Sequence, residues 1–89
     1  MKKHRMVYVE WEDSAGSTRW MDLERATQFK TSQCETLGYL IKSDRQHIVV
    51  ASCRCPDTDE VSHLDAIPRS CIRSMWSVEV KDGHKDSSD

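Results

Sequence analysis

Apolar and polar residues alternate in short runs along this chain, which is the pattern of half-buried β-strands. In the first run, Met6 to Trp11, the residues Val7, Val9 and Trp11 share one face. Similar runs predict four more strands, at about residues 34–42, 47–53, 63–67 and 71–80. The pattern therefore predicts a mainly β domain of five strands.

The second and third runs have the sequence form of a β-hairpin. Gly38–Lys42 and His47–Ser52 are rich in β-branched and aromatic residues, and the polar connection 43–46 separates them. Pro68 ends the fourth strand, because proline has no N–H to donate to a ladder. Gly38 lies in mid-strand, where it predicts a sharp bend or a close approach of two backbones.

One helical segment interrupts the strands. Asp22 is a suitable N-cap, and Leu23, Ala26 and Phe29 follow at helical spacing. Two turns are too short to persist without packing, so the segment predicts a helical plug across one end of a barrel. The residues from Arg54 to Ser62 are polar and predict a loop.

The chain of 89 residues is expected to form a single domain at residues 6–80. Residues 1–5 are expected to be a basic, flexible N-terminus, and residues 81–89 a disordered polar tail. No apolar run approaches the length of a membrane span, and no apolar signal region follows the basic start. We therefore expect a cytoplasmic protein.

The charge is mildly acidic. The formal net charge is −2, and residues 6–80 hold 8 basic and 12 acidic side chains. A domain that binds phosphates normally presents a basic face, so this balance argues against nucleic acid as the main partner.

Four cysteines are expected to be free thiols in a reducing compartment. Cys34, Cys53 and Cys71 lie in predicted strands, where a thiol behaves as a small buried apolar group. A zinc site would have to recruit Cys53, Cys55, His63 and Cys71. The C-x-C spacing is poor for zinc, so we expect no metal and no cofactor.

The order of elements, with Gly38 in the second strand and Asp44 at the hairpin, resembles the Sm-like proteins, which include bacterial Hfq. SH3-like barrels share most of this pattern, which covers residues 34–80. The resemblance implies a strongly bent, five-stranded Sm/SH3-like barrel with one short helix after its first strand. It also implies an alternative function, in which an oligomeric barrel binds RNA or sequesters a small signalling nucleotide. The phosphates would then meet Arg45, His47, Arg69 and Arg73.

The sequence is also similar to small phage-encoded proteins of unassigned function. The similarity rests on Trp11-Glu12-Asp13-Ser14, on Trp20 with Leu23-Glu24, on Cys34-Glu35 with Gly38-Tyr39, and on residues 67–72. It implies expression in a bacterial cytoplasm and a task performed by binding, such as inhibition of a host defence protein.

No glycine-rich phosphate loop, zinc-protease motif or nucleophile elbow occurs, so we expect no enzymatic activity. We expect a host protein with a basic surface as the partner, and homo-oligomers remain possible. Trp11 and Trp76 are expected in the core and Trp20 at the contact, because tryptophan is frequent in binding hot spots. The other expected contacts are the acidic residues Glu12, Asp13, Asp57, Asp59 and Glu60.

Overall fold

A computed structural model describes residues 4–81, which form one antiparallel sheet. Its elements are β1 (Met6–Asp13), α1 (Leu23–Thr27), β2 (Ser32–Ser43), β3 (His47–Cys55), β4 (Glu60–Pro68) and β5 (Ile72–Val78), with a 3-10 turn at Arg69–Cys71. The strand order is β4-β3-β2-β1-β5. The mainly β class, the five strands and the single helix after the first strand are confirmed.

Strand β2 connects the two halves of the sheet. Its first part pairs with β1, from Ser32 opposite Asp13 to Tyr39 opposite Met6, and its last part pairs with β3 from Tyr39 onward. Gly38 lies where the partners change, and a Cβ there would lie 2.4 Å from the carbonyl oxygen of Ala51. The close backbone approach predicted for Gly38 is confirmed.

The sheet remains open at both edges. Among residues 4–81, β4 pairs only with β3 and β5 only with β1, so the outermost strands do not join. Closure into a barrel is therefore not confirmed. Within the same residues, no helix is both long and apolar enough to cross a membrane.

The core lies on one face of the sheet. Among residues 4–81, six apolar side chains are fully buried, and all of them except Ala51 form one cluster: Val7, Val9, Ile48, Val50 and Ile67. Trp11, Leu40, Ile72 and Met75 pack against them. The indole Nε1 of Trp11 donates a hydrogen bond to Thr36 Oγ1 at 3.0 Å, which satisfies both polar groups. Trp11 therefore belongs to the core edge, as expected.

The prediction that Trp76 is a core residue is wrong, since 49% of its surface is exposed. The cause is an irregularity in the β1–β5 ladder. Ile72 pairs with Trp11 while Ser74 pairs with Glu10, so Arg73 is an extra residue in β5. A bulge reverses the alternation of faces. Ile72 and Met75 consequently face the core, and Trp76 lies against the opposite face.

The predicted helical plug is also wrong. Helix α1 is shorter than expected, and none of its residues is buried. The polar loop expected at residues 54–62 is reduced to the turn 56–59, because β3 continues to Cys55 and β4 begins at Glu60. Asp59 takes a positive φ of 56° in that turn. The predictions for residues 1–3 and 82–89 lie outside the described residues.

Candidate functional site

The connection between β1 and β2, residues 14–31, projects from the sheet. Its base is fixed by the pairing of Asp13 with Ser32. Local hydrogen bonds give it a defined shape: Asp22 Oδ1 accepts from the Arg25 N–H at 2.8 Å, and the Ala26 N–H donates to the Asp22 carbonyl at 3.0 Å. Every residue of the connection is exposed, so local bonds hold its shape with little packing against the sheet.

The β1–β2 connection presents large apolar side chains to solvent. Trp20 is fully exposed and Leu23 is 85% exposed, while Met21 and Phe29 are each exposed by more than a third. A shallow cleft of about 260 Å³ lies between Met21, Ala26 and Phe29, with Ser17 and Arg19 at its border. The exposure expected for Trp20 is confirmed, and its surroundings are more apolar than the sequence analysis assumed.

Glu12 and Asp13, expected as contacts, lie at the base of the connection. Glu12 accepts hydrogen bonds from Thr31 and from the guanidinium of Arg73. The hydrogen bond from Thr31, followed by that from Arg73, lowers the pKa of Glu12. Glu12 is therefore engaged within the chain, whereas the side chain of Asp13 is exposed.

An aromatic cluster covers the outer face of β1 and β5. The rings of Tyr8 and Trp76 stack with their centroids 5.4 Å apart, and Leu37 faces Tyr8 from β2. The Tyr8 hydroxyl donates to Glu35 at 2.7 Å, which with desolvation and the Glu10 charge raises the pKa of Tyr8 to about 12. The cluster therefore combines exposed apolar area with two carboxylates.

The remaining expected contacts, Asp57, Asp59 and Glu60, lie far from the β1–β2 connection. Asp57 and Asp59 lie in the turn between β3 and β4, and Glu60 begins β4. Asp59 lies 3.8 Å from the guanidinium of Arg54. Arg54 lines a cavity together with Met6, at the start of β1. Asp13 lies seven residues further along β1, which corresponds to roughly 23 Å. The acidic residues therefore form two separate groups.

The four residues of the nucleotide alternative are mostly engaged within the chain. Arg69 donates to the Asp44 carbonyl at 2.9 Å and to Ser43 Oγ, which fastens the β2–β3 turn. His47 lies 3.7 Å from the Asp44 carboxylate, and Arg73 pairs with Glu12. Arg45 is exposed in the β2–β3 turn. The structure thus brings Arg45, His47 and Arg69 to one turn, with two of the three bound internally.

The cysteines do not gather. Among residues 4–81, no group of three metal-ligating side chains is close enough to hold an ion. Cys34 and Cys71 are half-buried, but Cys53 and Cys55 are exposed, so the expected burial of Cys53 is wrong. A hydrogen bond from the Thr58 hydroxyl lowers the pKa of Cys55, which increases its thiolate fraction.

Sequence analysis missed the apolar companions of Trp20. Helical spacing predicts that Leu23, Ala26 and Phe29 lie on the packed face of a helix, and Met21 precedes that helix. Helical spacing predicts that these side chains are buried, but it does not identify the part of the protein that covers them. The available signal was the flanking polar sequence 12–18 and 30–33, which leaves the segment isolated from the strands.

No protein-family profile, curated protein or solved structure matches this chain.

Proposed function

We propose that this chain is a non-enzymatic binding protein that captures another protein through its β1–β2 connection. The observation that carries the proposal is the full exposure of Trp20 beside Leu23, Met21 and Phe29 on a segment with no buried residue. Exposed apolar groups that form a patch mark interaction surfaces more often than isolated ones do.

The energetics favour this assignment. Burying one large apolar side chain gains roughly 1.5–3 kcal/mol. The free chain gains little of this at Trp20 and Leu23, and only part of it at Met21 and Phe29. Two aromatic rings and two flexible aliphatic chains are typical anchors, because they supply large contact area. Local capping by Asp22 already orders the segment, so a partner would face a smaller entropy cost on binding.

Charge suggests the chemistry of the partner. Asp13, Glu10 and Glu35 lie at or beside the base of the connection, and Glu10 and Glu35 are opposite each other on β1 and β2. Carboxylates around an apolar anchor favour a partner whose surface is basic. The connection itself carries three basic residues, Arg19, Arg25 and Lys30, and two acidic ones, Asp22 and Glu24, so the complementary surface would also hold acidic groups.

The resemblance to small phage-encoded proteins extends the proposal to a biological setting. We infer a host protein of the bacterial cytoplasm as the partner, such as a defence or nucleic-acid-handling protein whose activity the chain inhibits or modulates. The scaffold we propose is a small barrel, and the support for it is the close approach of the Ala51 backbone to Gly38 in the long strand β2.

The second acidic group acts at longer range in this proposal. Asp57 and Glu60 lie about 20 Å or more from the apolar contact by strand length, which exceeds the Debye length at physiological salt. Their effect would be on the association rate of a basic partner, with little effect on the bound complex.

Capture from bacterial lysate tests the proposal when matched variants are compared. Trp20→Ala and Leu23→Ala should lose a protein that the wild type retains. Leu64→Ala is the control, because Leu64 is an exposed apolar residue on β4. With the purified partner, Trp20→Ala should weaken binding by about 2 kcal/mol, mainly through faster dissociation. Equal capture by Trp20→Ala and wild type would contradict the assignment.

A further inference from the structure

A cavity at the opposite end of β1 has a different character from the apolar contact. It has a volume of about 550 Å³ and lies where the start of β1, the middle of β2 and the ends of β3 and β5 meet. Small-molecule sites commonly have volumes of about 300–1,000 Å³. Its basic lining residues are His4, Arg5 and Arg54, and Glu79 is its one acidic lining residue.

Arg54 is the unusual member of this set. Its side chain is only 14% exposed, and its terminal nitrogen Nη2 is buried without a hydrogen-bond partner among residues 4–81. The Asp59 carboxylate is 3.8 Å away, which is too far for a hydrogen bond, and is itself 78% exposed. A buried guanidinium nitrogen without an acceptor is costly, so Arg54 is the group of this cavity that would gain most from an anionic acceptor.

The fold places a second guanidinium at the same cavity. The Leu40 N–H donates to the Arg5 carbonyl at 2.7 Å, which extends the β1–β2 ladder to Arg5 and fixes its backbone. Tyr39, Met6, Val78 and Val80 supply aromatic and apolar walls. A lining that combines basic groups with an aromatic ring and apolar side chains suits a ligand with a charged group and a ring.

We propose that this cavity binds a small organic phosphate, with the phosphate at Arg54, Arg5 and His4 and the organic group at Tyr39 and the valines. A phosphate monoester has three terminal oxygens and a charge of about −1.5 to −2 at pH 7, so it can use several cationic donors, whereas a carboxylate has only two oxygens. The site is independent of the protein-binding surface and uses none of Arg45, His47, Arg69 or Arg73.

Asp59 gives the proposal a sharp test. It competes for the Arg54 guanidinium, so Asp59→Asn should strengthen phosphate binding by about two- to fivefold through the loss of a like charge. Asparagine tolerates a positive φ as well as aspartate does, so this variant should keep the turn at residues 56–59. Arg54→Gln should weaken binding by about tenfold or more, since it removes charge-assisted hydrogen bonds.

The probes are phenyl phosphate, inorganic phosphate and phenol, titrated into the ¹⁵N-labelled chain and followed by NMR. Phenyl phosphate should bind more tightly than either fragment, with shifts at the Arg5, Tyr39 and Arg54 amides. Arg54→Lys, which keeps the charge but loses the planar fork, should give an intermediate affinity. Lys42→Gln is the control for net charge, because Lys42 lies outside the cavity.

Several results would overturn the proposal. One is the absence of shifts at these amides up to about 10 mM phenyl phosphate, beyond the range of weak specific fragments. Another is unchanged affinity in a folded Arg54→Gln or Arg54→Lys variant. If Arg45→Gln loses binding and the Arg54 variants keep it, the phosphate site lies at the β2–β3 turn. Tighter binding of a short oligonucleotide than of any small phosphate would replace the small ligand by nucleic acid.

Discussion

Gly38 shows how much of this fold depends on one missing side chain. The Ala51 backbone lies so close that a Cβ at Gly38 would approach its carbonyl oxygen to 2.4 Å and its carbonyl carbon to 2.9 Å. Neither atom can move without disturbing the β2–β3 ladder. The reason for glycine here is space, because Gly38 does not have a positive φ.

We expect Gly38→Ala to lower the free energy of unfolding by about 3 kcal/mol, and Gly38→Val by more, as for other overpacked sites. Gly16→Ala is the matched control, since nothing lies within 4 Å of a Cβ there. It should change stability by less than about 1 kcal/mol. Urea unfolding of the three variants measures the difference, and similar midpoints for Gly38→Ala and Gly16→Ala would contradict the close-contact argument.

Asp44 makes the β2–β3 turn sensitive to acid. Its carboxylate accepts the N–H groups of His47 at 2.9 Å and Gln46 at 2.8 Å, which lower its pKa from 3.8 to about 2. A lowered pKa in the folded state stabilises the fold above the unfolded value, and this contribution is lost as pH falls from about 4 to about 2. Asp44→Asn should remove this part of the acid dependence in unfolding curves measured between these pH values. If the free energies of unfolding of variant and wild type fall equally as pH is lowered, protonation of Asp44 does not destabilise the fold.

The elements differ in how far the sequence could predict them. Alternation located all five strands, and the hairpin chemistry located the β2–β3 turn, because both signals are local. The extra residue Arg73 in β5 could not be predicted, since it depends on pairing with β1. The cavity around Arg54 was missed for a similar reason: its lining residues come from β1, β2, β3 and the end of β5, which are distant in sequence.

The β1–β2 connection is expected to be separable from the sheet. Replacing residues 14–31 by Asn-Gly would join the paired residues Asp13 and Ser32 through a short turn. The variant loses the contact of Thr31 with Glu12, but closing a shorter loop should gain roughly 2 kcal/mol. Thermal unfolding should therefore remain cooperative at an equal or higher midpoint, while the partner is lost. A variant that fails to fold would show that the connection belongs to the domain core.

At the scale of the whole molecule, stability comes from a small apolar core and backbone pairing. The fully buried side chains come from β1, β3 and β4, with Trp11 and Met75 at the margin. A core of this size provides only a small free energy of unfolding, so single substitutions within it should unfold a large fraction of the protein.

The fold is expected to form without metal. Chelator treatment should leave the far-ultraviolet circular dichroism and the melting temperature unchanged, because hydrogen bonding and burial account for the described structure. Elemental analysis before and after treatment is the accompanying measurement. Loss of stoichiometric zinc together with loss of structure would show that cysteines such as Cys53 and Cys55 act as ligands.

The pairing of β1 with β5 has a consequence for synthesis on the ribosome. Met6 pairs with Val78 and Val9 with Met75, so β1 emerges long before one of its two neighbours exists. Strands β2 and β3 can pair as soon as they emerge, because their partners are close in sequence. The nascent chain therefore holds β1 with one edge unpaired until β5 leaves the exit tunnel. That edge is exposed to aggregation during translation, and the sheet is completed last at the strand that was made first.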